Sequence, residues 1–463
     1  MHISSQPSRR HALCLLGASL LSGCAMGGGD TSAPAKAPAG KITADNPFGV
    51  PDGGSVELAY FKGGSPNYLG DAVEPLLQNK FPKVQIQRTM SERMSQTLQP
   101  RFVGGNPPDF IDNAGADALS FGALVQDGQV LDLTDFYNAP SIDDPSKKIK
   151  DSLLPGSYES TLVDGVPYTI SFVARSFGIW YNAKLGLQPP ATWDAFIQLC
   201  EEIKKSGVTP YGFAGKNAAD YQAEVILTSA AKIGGLDLLR AIDNLEDGAW
   251  EADAVRQAAE AWAEIGGRFS DKSFEGLIHT EVQLRQNQGK LAFYPCGDWL
   301  ESEQKKSTPE GFEYTMMPTP SITSSDALPI AAVHALLGSA MLVAAKGQNT
   351  AAAQEFMRLM VSKEGARAYT RASGWLTTVP GAADGLDLSP GTLVSQQALA
   401  TAGAAKALIT WKWNGWYQPL LYEIRDATNA LMYGRVTAAE FTRRMQKKAD
   451  EIKADSTIKK YQR

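Results

Sequence analysis

Apolar and polar positions follow two different periods along the first part of the chain body. Residues 56–61, 84–87 and 107–111 are predicted to be strands, because apolar side chains alternate there or form short runs near Gly and Pro. Between them, residues 72–77 and 98–102 carry apolar side chains at helical spacing. This order of strand, helix and strand predicts an α/β fold with a mainly parallel sheet covered by helices.

The carboxyl ends of these strands are the predicted ligand-binding edge, since ligands of parallel α/β sheets bind there. Lys62 and Asn113 follow the first and third strands, and Phe172 ends a later predicted strand. We therefore include these three residues in the predicted site, although each also suits a purely structural role.

Two later helices carry clear start signals. Thr192 is placed to cap a helix whose apolar stripe includes Cys200. Thr437 and Glu440 form a predicted capping box at the start of a C-terminal helix. Cys200 and Cys296 are most simply interpreted as buried thiols. A disulfide between them is chemically allowed outside the cytoplasm, but their spacing gives it no support.

The first fifty residues have the order of an export signal followed by a tether. Residues 1–23 are predicted to be a signal peptide, because an arginine pair precedes an apolar run of about ten residues, too short to span a bilayer. Leu21–Cys24 resembles a bacterial lipobox, which implies lipidation of Cys24; an ordinary signal peptide with an incidental cysteine is the alternative. The arginine pair also resembles a twin-arginine signal, so the export route stays open. Residues 24–50 are predicted to be a flexible lipidated linker, since Gly, Ala, Pro, Ser and Thr dominate them.

Composition and charge exclude several classes of function. The chain has 463 residues, enough for two or three compact units, and 43% of them are apolar. The formal net charge of -6 argues against nucleic acid or an anionic membrane surface as a partner. Only four histidines occur, two of them in the predicted signal peptide, so a multi-histidine metal site is not expected. No Gly-x-x-x-x-Gly-Lys-Ser/Thr loop is present, so the sequence gives no signal for ATP hydrolysis, and no cofactor or metal is predicted.

Several short segments of the body carry motifs in a defined order. Asp164–Tyr168 and Trp180–Leu185 are similar to an Asp-Gly-x-x-Tyr motif followed by Tyr-Asn-Lys-x-Leu. Gly289–Trp299 is similar to a Gly-Lys-x-Ala strand that leads to a Gly-x-Trp turn, and Ser373–Leu376 to a segment that re-enters a cleft. Together these segments resemble the carbohydrate-binding, family 1 extracellular solute-binding proteins of bacterial ABC importers. The pattern looks most like the N-acetylglucosamine- and chitobiose-binding lipoproteins of actinobacteria.

The resemblance implies a two-lobe, periplasmic-binding-protein-like fold of type II. Each lobe is expected to be a mainly parallel sheet flanked by helices, and a hinge joins the lobes. We place the N-terminal lobe at residues 51–172 plus 318–380, and the C-terminal lobe at residues 173–317 plus 381–463. The resemblance further implies a monomer that is extracytoplasmic, lipid-anchored to the cell membrane and not an enzyme. Such a protein captures a carbohydrate, preferably N-acetylglucosamine or a chitooligosaccharide, and delivers it to ABC permease subunits.

A sugar presents C–H faces and hydroxyl edges, so its site needs aromatic platforms together with hydrogen-bonding groups. Asp298 and Trp299 lie in the Gly-x-Trp turn, and Trp375 lies in the re-entrant segment. We expect both tryptophans to stack on sugar rings while Asp298 accepts hydroxyl hydrogens. Each tryptophan also suits a role in core packing.

A second aromatic group lies near the C-terminus, where residues 411–416 include three tryptophans. In an extended segment Trp411 and Trp413 would share a face, and Gly415 would allow a bend. We therefore predict that Trp413 and Asn414 face the ligand, although the choice among these tryptophans is open.

Two other functions stay open at this point. A secreted, lipid-anchored glycoside hydrolase would need two carboxylates about 5 to 10 Å apart, a separation that sequence cannot reveal. A structural surface lipoprotein would bind no ligand. His279 and His334 lie near apolar residues and are interpreted as packed or surface histidines rather than catalytic bases.

Overall fold

Two main sheets, each covered by helices, organise the chain. The computed structural model describes residues 39–62, 66–114, 117–338 and 341–463. The predicted signal peptide, Cys24 and most of the predicted linker therefore lie outside the described residues. The strands are β1 (Ser55–Phe61), β2 (Gln85–Ser91), β3 (Phe110–Asp112), β4 (Leu162–Val163), β5 (Val166–Pro167), β6 (Ala174–Asn182), β7 (Thr209–Tyr211), β8 (Leu291–Gly297), β9 (Tyr314–Met317), β10 (Val333–Leu337), β11 (Met341–Val343) and β12 (Leu408–Ile409).

The helices occupy most of the sequence between these strands. They are α1 (Tyr68–Lys80), α2 (Met94–Val103), α3 (Phe121–Gln126), α4 (Thr134–Asn138), α5 (Trp193–Lys205), α6 (Ala219–Gly234), α7 (Leu236–Asp243), α8 (Asp253–Phe269), α9 (His279–Asn287), α10 (Leu300–Gln304), α11 (Thr350–Met360), α12 (Lys363–Ser373), α13 (Pro390–Ala404), α14 (Trp413–Trp416), α15 (Gln418–Met432) and α16 (Ala438–Ala454). No helix among the described residues combines the length and the apolar character that a membrane span requires.

The first sheet has the strand order β11-β3-β1-β2. β1 runs parallel to β2 and β3, and only β11 at the edge is antiparallel. Along β1, Leu58 and Tyr60 join the core formed with α1 and α11, while Ala59 joins the core formed with α2 on the other face. The alternation seen in the sequence is therefore that of a sheet covered on both faces, and the predicted mainly parallel sheet is confirmed for this lobe.

The second sheet has the order β12-β10-β6-β8-β7, with β9 also paired to β6. β6 is antiparallel to β8, β9 and β10, whereas β7 pairs parallel with β8 and β10 pairs parallel with β12. The prediction of a mainly parallel sheet is therefore wrong for this lobe. The reason is the direction of one central strand: β8, β9 and β10 all run the same way, and β6, which pairs with all three, runs the opposite way.

Three segments cross side by side between the two sheets. Ile170 bridges to Met341, Val173 bridges to Thr377, and the backbone N–H of Ala174 donates to the carbonyl of Leu376. The predicted N-terminal lobe included residues 333–337, but these form β10, which pairs with β6 and so belongs to the second sheet. The other predicted lobe boundaries stay predictions.

Residues 39–50 pack on the first lobe instead of continuing the flexible linker predicted to reach residue 50. Phe48 stacks on Phe136 with ring centroids 6.0 Å apart, and Val50 is buried. The side-chain oxygen of Asn46 accepts a hydrogen bond from the backbone N–H of Val50 at 2.8 Å. Apolar side chains at Phe48 and Val50 supply the burial that the small, polar residues before them lack.

The predicted helix starts and buried thiols are confirmed. Thr192 accepts a hydrogen bond from the N–H of Ala195 and begins α5, and Thr437 and Glu440 form the capping box of α16. Cys200 and Cys296 are both buried and free, so no disulfide joins them.

Candidate functional site

An ion pair between two tryptophans occupies the junction of the two lobes. The guanidinium of Arg175, at the start of β6, lies 3.2 Å from the carboxylate of Asp298, directly after β8. The same guanidinium lies 4.2 Å from the ring centroid of Trp375 and 5.9 Å from that of Trp299. Trp375 packs against the first-lobe core and Trp299 against the second-lobe cores, so the pair joins both lobes.

Burial and charge act in opposite directions on Asp298. Burial raises the pKa of its carboxyl group from 3.8 to about 6, while the charge and hydrogen bond of Arg175 lower it. Asp298 is therefore mostly ionised at neutral pH and can accept hydrogen bonds from a ligand.

The turn at Trp299 depends on the glycine two residues before it. A Cβ at Gly297 would overlap the indole ring of Trp299, so only glycine permits this ring position. The indole N–H of Trp299 donates to the hydroxyl of Tyr221 at 3.1 Å, and the two rings meet edge to face. Trp299 is only partly buried, so its ring is held in place and still accessible.

An aromatic path leads from Trp299 to the C-terminal tryptophan group. Phe177 contacts Trp299 at 6.0 Å and His334 at 6.1 Å between ring centroids. His334 in turn stacks on Trp411, with centroids 3.6 Å apart and the planes within 10°. Trp411 is therefore the tryptophan of this group that connects, through His334 and Phe177, to Trp299.

The segment expected to be extended at Trp413 is helical. Residues 413–416 form α14, and Trp413 is 2% exposed, with its ring edge to face against Trp250. Asn414 lies on the same short helix and is partly buried. The expected extended segment is wrong, and the burial of Trp413 argues against its predicted contact with ligand in this conformation.

Of the three strand-end residues, only Lys62 is exposed. Asn113 is buried and bonds through its amide to both the N–H and the carbonyl of Leu119. Phe172 is fully buried and packs on Tyr369 at 5.0 Å between ring centroids. The side chains of Asn113 and Phe172 therefore point into the protein, and ligand binding at this edge of the sheet stays a prediction.

A cavity of about 480 Å³ adjoins the ion pair. Its wall includes Trp375 and charged groups of both signs: Asp298, Glu301, Asp387, Lys305 and Arg371. A larger cavity of about 550 Å³, near Leu185, Leu199 and Leu291, has a mainly apolar lining that includes none of the predicted site residues. The smaller cavity fits a polar ligand better, because it combines an aromatic ring with many hydrogen-bonding groups.

Arg175, Tyr221 and Glu224 were missed in the sequence analysis. Arg175 is the single cation in an apolar strand, and Glu224 is a carboxylate directly before the buried run of an otherwise mainly apolar helix. Both were visible as charges at positions where burial is expected, and that signal would have identified them. The described residues contain no cluster of His, Cys, Asp and Glu that could hold a metal ion.

Comparison with known proteins agrees with this architecture. Residues 64–367 match the family described as bacterial extracellular solute-binding protein. A diacetylchitobiose-binding protein of Streptomyces coelicolor is 31% identical over 433 residues, which cover 91% of this chain and 90% of that protein. A multiple sugar-binding protein of Streptococcus mutans is 24% identical over 316 residues, 66% of this chain and 70% of that protein.

A solved structure extends the comparison to the fold. A chitin oligosaccharide-binding protein superposes with a TM-score of 0.63 at 17% identity, covering 86% of this chain and 98% of that chain. The predicted two-lobe architecture is thereby confirmed. With the family match spanning most of the chain, this protein belongs to the bacterial extracellular solute-binding proteins.

Proposed function

We propose that this chain is the substrate-binding lipoprotein of a carbohydrate ABC importer. It captures N-acetylglucosamine or a chitooligosaccharide between its lobes and delivers the sugar to permease subunits without breaking a bond. The observation that carries the proposal is the pair of partly buried tryptophans, Trp299 and Trp375, on either side of the Arg175–Asp298 ion pair. This arrangement supplies both the ring surfaces and the polar groups that a sugar needs.

The preference for an amino sugar has support from the relatives. The Streptomyces coelicolor protein is named for diacetylchitobiose, and it matches nearly the whole of this chain. The Streptococcus mutans relative is named for multiple sugars, so membership of the family alone does not define the cargo. A panel of sugars is therefore part of the test.

Each predicted site residue has a part in this proposal. Trp299 and Trp375 stack on sugar rings, and Asp298 accepts hydroxyl hydrogens. Lys62 contacts the ligand from the exposed rim of the first lobe. Asn113, Phe172 and Trp413 support the site from within the lobes, and Asn414 lies beside Trp413. Because the contacts come from both lobes, we propose that ligand binding favours a closed arrangement.

Calorimetric titration with amino sugars, chitooligosaccharides, maltooligosaccharides and xylooligosaccharides tests the proposal. We expect a selective dissociation constant of about micromolar, near -8 kcal/mol. W299A should weaken binding roughly 30-fold or more, since it removes a ring surface at the centre of the site. W193F, a change in the second-lobe core where Trp193 packs on Phe196 and Trp262, is the control and should leave affinity unchanged. No binding across the panel would contradict the proposal, and a cleaved sugar in the mass spectrum would favour the hydrolase.

The membrane anchor is a separate proposal. Residues 1–23 direct export, and a lipid on Cys24 holds the protein, as a monomer, outside the cytoplasm at the cell membrane. C24S should move the protein from the membrane fraction to the soluble fraction. Membrane retention of C24S at the wild-type level would contradict lipidation at this residue.

A further inference from the structure

Helix α6 brings a carboxyl group to the wall that holds Trp299. From Val225 to Lys232 every residue of α6 is buried, whereas Tyr221 and Glu224 keep part of their side chains exposed. These two residues are three apart and therefore share a helix face. Since Tyr221 accepts the hydrogen bond of Trp299, Glu224 continues the same wall one turn deeper.

Glu224 faces His334 at a distance that leaves both groups unbonded. Its Oε2 lies 3.8 Å from Nε2 of His334, and the two side chains are only 12% and 2% exposed. Neither atom has a hydrogen-bond partner in the part of the chain that the structure describes, and the same holds for Nε1 of Trp411. Because Trp411 stacks on the His334 ring, the three atoms belong to one cluster.

The donor and acceptor roles within this cluster follow from its contacts. Nδ1 of His334 lies 3.0 Å from the carbonyl oxygen of Ile409, which can only accept, so Nδ1 carries the proton and Nε2 is an acceptor. Burial lowers the pKa of His334 to about 3 and raises the pKa of Glu224 well above its usual range. Burial therefore favours the neutral form of each group. In those forms Nε2 of His334 accepts a hydrogen bond, Nε1 of Trp411 donates one, and the carboxyl group of Glu224 can do either.

We propose that Glu224, His334 and Trp411 form a subsite for a sugar substituent that both donates and accepts hydrogen bonds, either a secondary hydroxyl or an acetamido group. The substituent donates to Nε2 of His334 and accepts from Glu224 or Trp411. This inference rests on the proposed sugar-binding function. A substituent that lacks either capacity leaves buried polar atoms unpaired, so the subsite selects among sugars.

Titration of variants tests the subsite with diacetylchitobiose and with its deacetylated counterpart. The chain carries C24S, which prevents the proposed lipidation and leaves the described residues unchanged. E224L should weaken binding about 10-fold or more, because a leucine cannot bond to the substituent. E224Q should stay within about 3-fold of the parent, since an amide keeps both capacities. T228V, one turn further along the buried part of α6, is the control for helix packing and should bind as the parent does.

The outcomes separate the two levels of the proposal. A larger loss for diacetylchitobiose than for the deacetylated sugar assigns the acetamido group, and an equal loss assigns a hydroxyl. Unchanged affinity of a folded E224L for both sugars overturns the subsite while sugar binding stands. A parent chain that binds no sugar overturns the proposed function itself.

Nitrogen NMR of the imidazoles gives a second test that needs no variant. His334 and His279 are the two histidines beyond residue 24. On saturation with diacetylchitobiose, the Nε2 resonance of His334 should shift because it accepts a new hydrogen bond. His279, whose Nδ1 already contacts the Asn217 amide, is the internal reference. An unshifted His334 resonance at saturation overturns the subsite, even if E224L fails to fold.

Discussion

Each lobe holds a buried glutamate on a helix that covers its sheet, and the two glutamates have opposite surroundings. Glu355 on α11 is fully buried and bonds to Lys80 at 3.0 Å and to Arg358 at 3.2 Å. Glu224 on α6 is almost as buried, yet its Oε2 has no partner among the described residues. Burial raises the pKa of both, and only at Glu355 do adjacent cations oppose the rise. The paired carboxylate of Glu355 therefore stabilises the fold, whereas the unpaired carboxylate of Glu224, beside aromatic rings, is the one that we propose to contact a ligand.

The largest expected effect comes from removing the charge of Glu355, the glutamate that is paired with cations. E355Q should lower the free energy of unfolding by about 3 to 5 kcal/mol, because the buried Arg358 is left without its carboxylate partner. E224Q should change it by less than about 1 kcal/mol, since no hydrogen bond of the side chain is lost. Urea unfolding of both variants measures the contrast. Equal destabilisation by the two changes would show that the comparison is mistaken.

Asp298 is an intermediate case, because Arg175 offsets its burial only in part. Its pKa of about 6 in the folded protein exceeds the ordinary 3.8, so the folded state binds this proton more tightly than the unfolded state does. The resulting stability is complete below about pH 4 and is lost as the pH rises through about 6. The difference in unfolding free energy between the parent and D298N should therefore fall by up to about 3 kcal/mol over this range. Chemical unfolding at a series of pH values measures it, and a constant difference would contradict the raised pKa.

The smallest effect should come from Lys80, the more exposed of the two cations that pair with Glu355. K80M should cost about 1 kcal/mol, because Lys80 is 21% exposed and Arg358 still neutralises Glu355. K83M is the matched control, since Lys83 pairs with Asp52 in a fully solvated setting, with side chains 67% and 81% exposed. The midpoint temperature of thermal unfolding should be lowest for E355Q, higher for K80M and slightly higher again for K83M. A loss of stability in K80M as large as that in E355Q would show that Lys80, and not Arg358, is the main stabilising partner of Glu355.

Signals that extend over many residues predicted the fold, while the site was predictable only where a turn constrains a side chain. The periodic segments and helix caps were found, and Asp298, Trp299 and Trp375 do come together. The direction of β6 could not be predicted, because strand pairing is set by contacts far along the chain. Arg175 and Asp298, for example, are 123 residues apart.

Trp413 shows why the remaining site residues could not be predicted. The backbone N–H groups of Lys412 and Trp413 both donate to the buried carboxylate of Asp243, at 2.7 and 2.8 Å. This distant carboxylate lies at the start of α14 and favours a helical turn over an extended segment. The local sequence, with three tryptophans in six residues, is compatible with either conformation.

Because three segments cross side by side between the lobes, the connection between the lobes does not depend on any single one of them. A backbone break between β10 and β11 would leave Ile170–Ala174 and the segment around Thr377 still joining the two halves. A nicked molecule should therefore remain a single working particle. The same position should accept new chain ends in a circular permutant, or an inserted fluorescent reporter whose emission would follow the lobe closure that we propose.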